Sequence, residues 1–221
     1  MKRANHTSSQ LGDFSSGDSL GGEVSHYQDK ENIYKQGEPA ETLFYIQKGA
    51  VRLSTRKNNR PSAVTAILGV GDFFGELCLA DYPFRMCTAI ALTDSSIRTI
   101  KKEEMLELIH RSNETSNSLV AHLLSSVKKY RDHVADLLTF SAEQRLARVL
   151  LRLAHMNGRS AAVVEIPVLS HAVLAEMVGT TRSRVNVFMN RFRKAGLINY
   201  DGGLEVHRSL RKVLRNSRNH R

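Results

Sequence analysis

The sequence predicts an α+β chain: an antiparallel β jelly roll, then one long helix, then a small helical head finished by a β-hairpin wing. Three observations predict it. Short β-prone runs separated by turn residues occupy Val24 to about Ile100, apolar residues at heptad spacing follow, and the last part carries two short capped helices around a glycine.

Taken in order, residues 1–22 are rich in Ser, Gly and Asp with little to bury, and are expected to form a disordered leader. Their basic residues have no apolar run behind them, which argues against a secretory signal, and no stretch of about 18 apolar residues exists to span a membrane. The chain is therefore expected in the cytoplasm, without a membrane partner. At 221 residues it can build one large or two modest cores, and 41% hydrophobic with 24% charged residues is ordinary globular composition. Strands are expected over Glu31 to Tyr34, Leu43 to Gln47, Ala50 to Thr55, Val64 to Leu68, Thr88 to Leu92 and Ser96 to Ile100. Gly37, Gly49, Asn58-Asn59, Gly69 and Gly71 separate them, and several short strands at this spacing make a sandwich or jelly roll over 23–112. Lys102 to His110 reads as a short helix.

A longer helix is expected from about Glu114 to Leu138, within a segment 113–139, with Val120, Leu123, Val127, Tyr130, Val134 and Leu137 spaced as a and d positions. Valine at each a position with leucine at two d positions favours two parallel strands, although so short a seam also suits a helix packed on its own domain. Thr139-Phe140 breaks the pattern, and Ser141-Ala-Glu-Gln144 opens a new helix as a capping box, with Leu146, Val149, Leu150 and Leu153 on its buried face. The hinge is expected at Thr139 to Ser141, and the head over 140–208.

Charge divides along the same line. Residues 1–140 balance 17 basic against 17 acidic side chains, whereas 141–221 hold 15 against 5, so the whole formal +10 lies in the second part. That is the electrostatic footprint of a polyanion-binding head, or of a merely solvated basic surface. The stretch HAVLAEMVGTTRSRVNVFMN, His171 to Asn190, decides for the former. Ala175 is small where two helices would touch, Gly179 supplies the turn, and Leu174, Val178, Val185 and Phe188 form a shared core. Ser170 and Thr181 are placed to cap the two helices, beside His171 at the first helix start. Arg182, Ser183, Asn186 and Val187 fall on or near the side away from that core, where an inserted helix presents side chains to base edges. Arg184, Arg191, Arg193 and Lys194 suit phosphates, which set affinity without reading sequence. After Gly196, Leu197 to Val206 alternates around an Asp201-Gly202 turn as a wing, and 209–221 is expected to be a solvated basic tail.

Within the roll lies Gly71-Asp-Phe-Phe-Gly-Glu-Leu-Cys-Leu-Ala80, then Pro83-Phe-Arg-Met-Cys-Thr88. A glycine opening a short helix frees N–H groups for an anion, and Arg85 can fold back onto the same anion. Glu76 beside such a site makes sense as acceptor of a ligand hydroxyl; the alternative is a structural Glu76–Arg85 ion pair. Cys78 and Cys87 are too few for a disulfide framework, a thiolate zinc site or an iron-sulfur cluster, and read as small buried side chains. A metal-dependent jelly-roll enzyme would need clustered ligands, yet His26 is the only histidine between Val24 and Ile100, so no metal site and no catalytic residue is expected.

From about Val24 to His207 the chain resembles the CRP/FNR family of bacterial transcription regulators. The likeness rests on Gly37-Glu38, Gly49, Phe74-Gly-Glu-Leu77 with Arg85, the long helix, and Gly179-Thr-Thr-Arg-Ser-Arg-Val185. It implies a homodimer with a cyclic-nucleotide-binding-type roll, a dimerisation helix and a winged helix-turn-helix that binds a near-palindromic double-stranded DNA operator and contacts RNA polymerase. It further implies an effector site of Gly75, Glu76, Leu77, Arg85, Met86 and Cys87, faced by Tyr130 and Arg131, with Glu76 on a ribose hydroxyl and Arg85 on a cyclic phosphate, cAMP foremost. Three departures follow from the resemblance. Met86 stands where cAMP-responsive members carry a hydroxyl, and Tyr130-Arg131 where they carry a Thr-Ser pair. In the reading helix Arg182 matches a guanine-reading arginine, but Ser183 replaces a glutamate and Val187 a second arginine. A ligand-independent or cyclic-dinucleotide-responsive regulator is the alternative, and the oxygen-sensing branch, which needs four thiolates, is excluded.

Overall fold

A computed structural model describes residues 21–56, 62–156, 161–200 and 203–215. Among the described residues the chain falls into two compact units, divided between 53 and 54, 66 and 67, and 131 and 132. The expected leader thus lies outside the described residues except for Gly21 and Gly22, whose carbonyls accept from Arg98 Nη1 at 2.9 and 3.3 Å. The expected turn at Asn58-Asn59 also lies outside them, as does that at Asp201-Gly202.

Among the described residues eight strands build the roll: β1 Glu23–Tyr27, β2 Asn32–Tyr34, β3 Thr42–Lys48, β4 Val51–Thr55, β5 Ala63–Leu68, β6 Phe73–Phe74, β7 Thr88–Ala91 and β8 Ser95–Lys101. They form two four-stranded sheets, ordered β1-β8-β3-β6 and β2-β7-β4-β5. Sequence pattern missed β1 and β6. The side chains of β1 are mostly exposed, so its apolar signal is weak; pairing from Glu23↔Thr99 to Tyr27↔Ser95 along β8 defines it. Strand β6 has only Phe73 and Phe74, paired with Tyr45 and Phe44.

The long central strand β3 buries Leu43, Phe44, Tyr45 and Ile46 in succession, as a strand covered on both faces must. On one face Leu43, Tyr45, Phe73, Cys78 and Ile100 pack with Met105 and Leu119, so helix α1 (Lys102–Arg111) and the start of helix α2 (Asn113–Thr139) close that side of the roll. Further along α2, His122 Nε2 accepts from the Phe73 N–H at 3.3 Å, and Lys129 pairs with Asp72 at 2.7 Å. Burial holds the His122 imidazole below its ordinary pKa, which keeps Nε2 an acceptor.

Helix α2 runs unbroken to Thr139, and helix α3 (Ala142–Met156) starts at the expected capping box: the Ser141 N–H donates to Gln144 Oε1 at 3.0 Å and the Gln144 N–H to Ser141 Oγ at 3.3 Å. Leu146, Leu150 and Leu153 are buried as expected; Val149 is only half-buried, and Ala147 takes a core position instead. The head continues with β9 Val163–Ile166, α4 His171–Val178, α5 Arg182–Lys194, β10 Ile198–Asn199, β11 Leu204–His207 and α6 Arg211–Arg215. The wing therefore has three strands, ordered β10-β11-β9, with Leu204 opposite Ile166 and Val206 opposite Val164. Pattern missed β9 because four residues ended by Pro167 show too little alternation to stand out.

The tail expectation needs correction. Residues 208–215 are not a solvated tail: Leu210 is wholly buried, and the Val213 carbonyl accepts from Gln144 Nε2 at 3.4 Å. The basic side chains around Leu210 hid one apolar anchor, which is enough to dock a short helix. Among the described residues no helix is long and apolar enough to cross a membrane, and no metal-binding cluster of His, Cys, Asp or Glu occurs.

Candidate effector site and nucleic-acid interface

The expected anion site is built around one buried arginine. Arg85 is 6% exposed, and its backbone pairs with the Gly37-Glu38 turn: the Gly37 N–H donates to the Arg85 carbonyl at 2.9 Å and the Arg85 N–H to the Glu38 carbonyl at 2.8 Å. Its guanidinium lies over the rings of Tyr34, at 4.5 Å, and Phe44, at 5.1 Å. Those rings stack with Phe74, Phe44 to Phe74 at 4.9 Å. Arg85 Nη1 donates to the carbonyls of Thr42 (2.7 Å) and Gly75 (3.4 Å), and Nη2 to Thr42 Oγ1 (2.7 Å). The buried Nε–H has no partner.

No ion pair joins Glu76 to Arg85, so the structural pair is not made. Glu76 opens the 3-10 turn Glu76–Ala80 behind Gly75, whose left-handed φ of 77° only glycine adopts freely, and whose missing Cβ makes room for Arg85 Nη1. Burial pushes the Glu76 carboxyl above its ordinary pKa. Tyr130, on α2, shares this space: burial pushes its hydroxyl up to about 12, with the negative charges of Glu76 and Cys87 adding to the rise. Tyr34 OH and Cys87 Sγ lie 3.7 Å apart, and burial raises both their pKa values. Gly75, Glu76, Arg85 and Cys87 are thus brought together, with Tyr130, 42% exposed, at their border, whereas Leu77, Met86 and Arg131 stand at the surface. Both cysteines are free; Cys78 is buried as expected, but Cys87 is a half-buried member of the site. Thr42, Tyr34 and Phe44, which hold the guanidinium, were not singled out from sequence. They sit more than forty residues from Arg85, and nothing local marks them.

In the head, Ser170 Oγ accepts from the Val173 N–H at 3.2 Å and Thr181 Oγ1 from the Arg184 N–H at 3.3 Å, so both hydroxyls serve as caps. Gly179 takes the left-handed turn with φ 67°, and Leu174, Ala175, Val178, Val185 and Phe188 are buried with Met189 and Phe192. Arg182, Ser183, Arg184, Asn186 and Val187 are exposed on α5, and His171 is half-buried at the start of α4. Arg191 differs from expectation: it is exposed but not free, since its Nη1 donates to both carboxylate oxygens of Glu143, at 3.0 and 2.8 Å. Sequence also missed the buried corner where α2 meets α3. There Asp136 accepts from Arg148 Nε at 2.8 Å and Arg152 Nη2 at 3.0 Å, and Arg145 donates to the carbonyls of Phe140 and Val178, both at 2.8 Å.

This geometry has known relatives. Residues 24–112 match the family described as cyclic nucleotide-binding domain, and 144–211 the Crp-like helix-turn-helix domain. The chain belongs to the CRP/FNR family of transcription regulators. Among CRP/FNR relatives, the cyclic AMP receptor protein of Thermus thermophilus is 29% identical over 178 residues, 80% of each chain. A CRP-like cAMP-activated global transcriptional regulator of Mycobacterium tuberculosis is 27% identical over 172 residues, 77% of each. The structure of FixK2 from Bradyrhizobium japonicum superposes with a TM-score of 0.75 at 23% identity, covering 87% of this chain and 96% of that one. The chain is accordingly a transcription regulator with a roll of cyclic nucleotide-binding type and a helix-turn-helix head.

Proposed function

We propose that this regulator is a cytoplasmic homodimer that binds a near-palindromic operator through α5 and contacts RNA polymerase, with a small anion of the cyclic-nucleotide class in its roll as effector. The exposed side of α5 carries the reading: Ser183, Asn186 and Val187 lie opposite a packed core, with Arg182 exposed at the helix start, in a segment holding the entire net positive charge. Arg182 reads guanine, Arg184 and the helix starts at Ser170, His171 and Thr181 hold phosphates, and Arg191 joins them only by leaving Glu143. Domain limits of 23–112, 113–139 and 140–208 go with this assignment.

Pairing rests on the long helix. Val120, Leu123, Val127, Tyr130, Val134 and Leu137 are each 36 to 53% exposed, so the seam is not spent on packing within the chain. A second copy covering it removes that surface from water and sets two heads one DNA turn apart. For the effector, the orphaned Arg85 Nε–H supports an anion and Glu76 a hydroxyl donor, and both cAMP-named relatives are consistent with a cyclic nucleotide. Met86 supplies no donor, so the fit is good for charge and poorer for the second phosphate contact.

A second reading, a ligand-independent or cyclic-dinucleotide-responsive regulator, is favoured by Thr42, which already occupies both Nη groups of Arg85. Operator selection with and without nucleotide, then calorimetry with cAMP, cGMP and cyclic di-GMP, separates the two. Heat with cAMP or cGMP and a changed operator affinity supports the cyclic-nucleotide sensor; a response to cyclic di-GMP alone, or to none of them, leaves the second reading. Arg182→Ala is expected to lose selective binding and keep weak, salt-sensitive binding, and a variant preferring its operator undiminished would refute the reader assignment.

A further inference from the structure

We propose that Val187 reads the C5-methyl group of a thymine in each operator half-site, an inference that rests on the DNA-binding reading above. The buried side of α5 consists of Val185, Phe188, Met189 and Phe192. At about 100° per residue, Ser183, Val187 and Asn190 lie within about 60° of one another, centred opposite that core. Val187 is 51% exposed and is the single large apolar side chain that α5 leaves to solvent among the described residues. Its neighbours on the face are all polar: Ser183 one turn before, Asn186 beside it, and Asn190 one turn after, with Asn190 Nδ2 donating to Asn186 Oδ1 at 3.5 Å.

A β-branched residue gains nothing for the helix at such a position, since it loses rotamer freedom without burying its methyls. In a major groove the same methyls meet the one apolar feature on a base edge, the thymine methyl, which no arginine or asparagine recognises. Val187 is the sixth residue of α5, within the first two turns that reach bases when a recognition helix enters by its N-terminal end. Arg182 and Val187 then read different bases, one by hydrogen bonds to guanine and one by apolar contact, and the half-site must hold a thymine within a few base pairs of that guanine.

The test uses the full chain and the duplex it selects from random DNA, with each thymine replaced in turn by deoxyuridine, which deletes the methyl and leaves every hydrogen-bonding group. At one position the wild-type protein should lose about fourfold in affinity per half-site and about fifteenfold when both are changed, the effect of one buried methyl each. Val187→Ala, which cannot disturb the core, should bind the thymine operator more weakly and lose less than twofold on the deoxyuridine change. A selected duplex on which no thymine is sensitive, or an unchanged penalty in Val187→Ala, would overturn the proposal while leaving DNA recognition intact. Failure to select any duplex would overturn the DNA-binding reading and this proposal with it.

Discussion

Removing the carboxylate of Asp136 should loosen the corner between α2 and α3. The Asp136 side chain is 9% exposed and holds two guanidinium groups, Arg148 at 2.8 Å and Arg152 at 3.0 Å, themselves 34 and 42% exposed. Stranding a charge in a dry interior costs about 3–5 kcal/mol, and breaking an open surface pair about 0–1 kcal/mol. Here water still reaches both arginines after the deletion, so Asp136→Ala should cost about 2 kcal/mol, between those limits. For a chain of this size that is a fall of about 4–8 °C in Tm, read by scanning calorimetry at fixed protein concentration. Because the carboxylate is buried, 1 M salt should leave most of the difference in place, whereas the exposed Lys30–Asp29 pair should contribute nothing there. A fall of less than 1 °C would refute the view that this cluster holds the corner.

Three further outcomes are expected. Burial raises the Glu76 pKa, so the folded state binds this proton more tightly than the unfolded chain, and the contribution of this group to stability is greatest in acid and is lost as pH rises from 4.5 through the raised value. Glu76→Gln should therefore raise the Tm of the ligand-free protein at pH 7 and leave it unchanged at pH 4; equal effects at both would exclude an ionised, desolvated carboxylate. Glu143→Gln should release Arg191, and the slope of log affinity against log salt should steepen by about 0.9 for each phosphate gained, with an unchanged slope meaning that Arg191 never meets DNA. Val127→Asp places a charge in the middle of the exposed seam and should give monomers by light scattering; an intact dimer would move the interface elsewhere.

Much of the architecture was legible because its signals are local. Heptad spacing marked α2, a Ser-x-x-Gln box marked the start of α3, Ser170 and Gly179 bracketed α4, and Thr181 marked the start of α5. The strand β1 was not legible, because backbone pairing to β8 rather than an apolar face defines it. The docking of 208–215 was missed because a single buried leucine sits among arginines, and composition there reads as tail. In the candidate site Arg85 and Glu76 were found by motif, but whether they pair depends on Thr42, Tyr34 and Phe44, which arrive from other strands.

By itself the amino-acid order determined the long helices and their order, the placement of charge in the head, and the caps of α3, α4 and α5, since these follow from periodicity and capping over a few residues; β1, β6, β9 and α6 needed the fold. Only the tertiary structure decided which charged groups meet. It keeps Glu76 and Arg85 apart, gives Arg191 to Glu143 and closes two arginines on Asp136, because burial and distance set electrostatic partners, and neither is defined until the chain has folded.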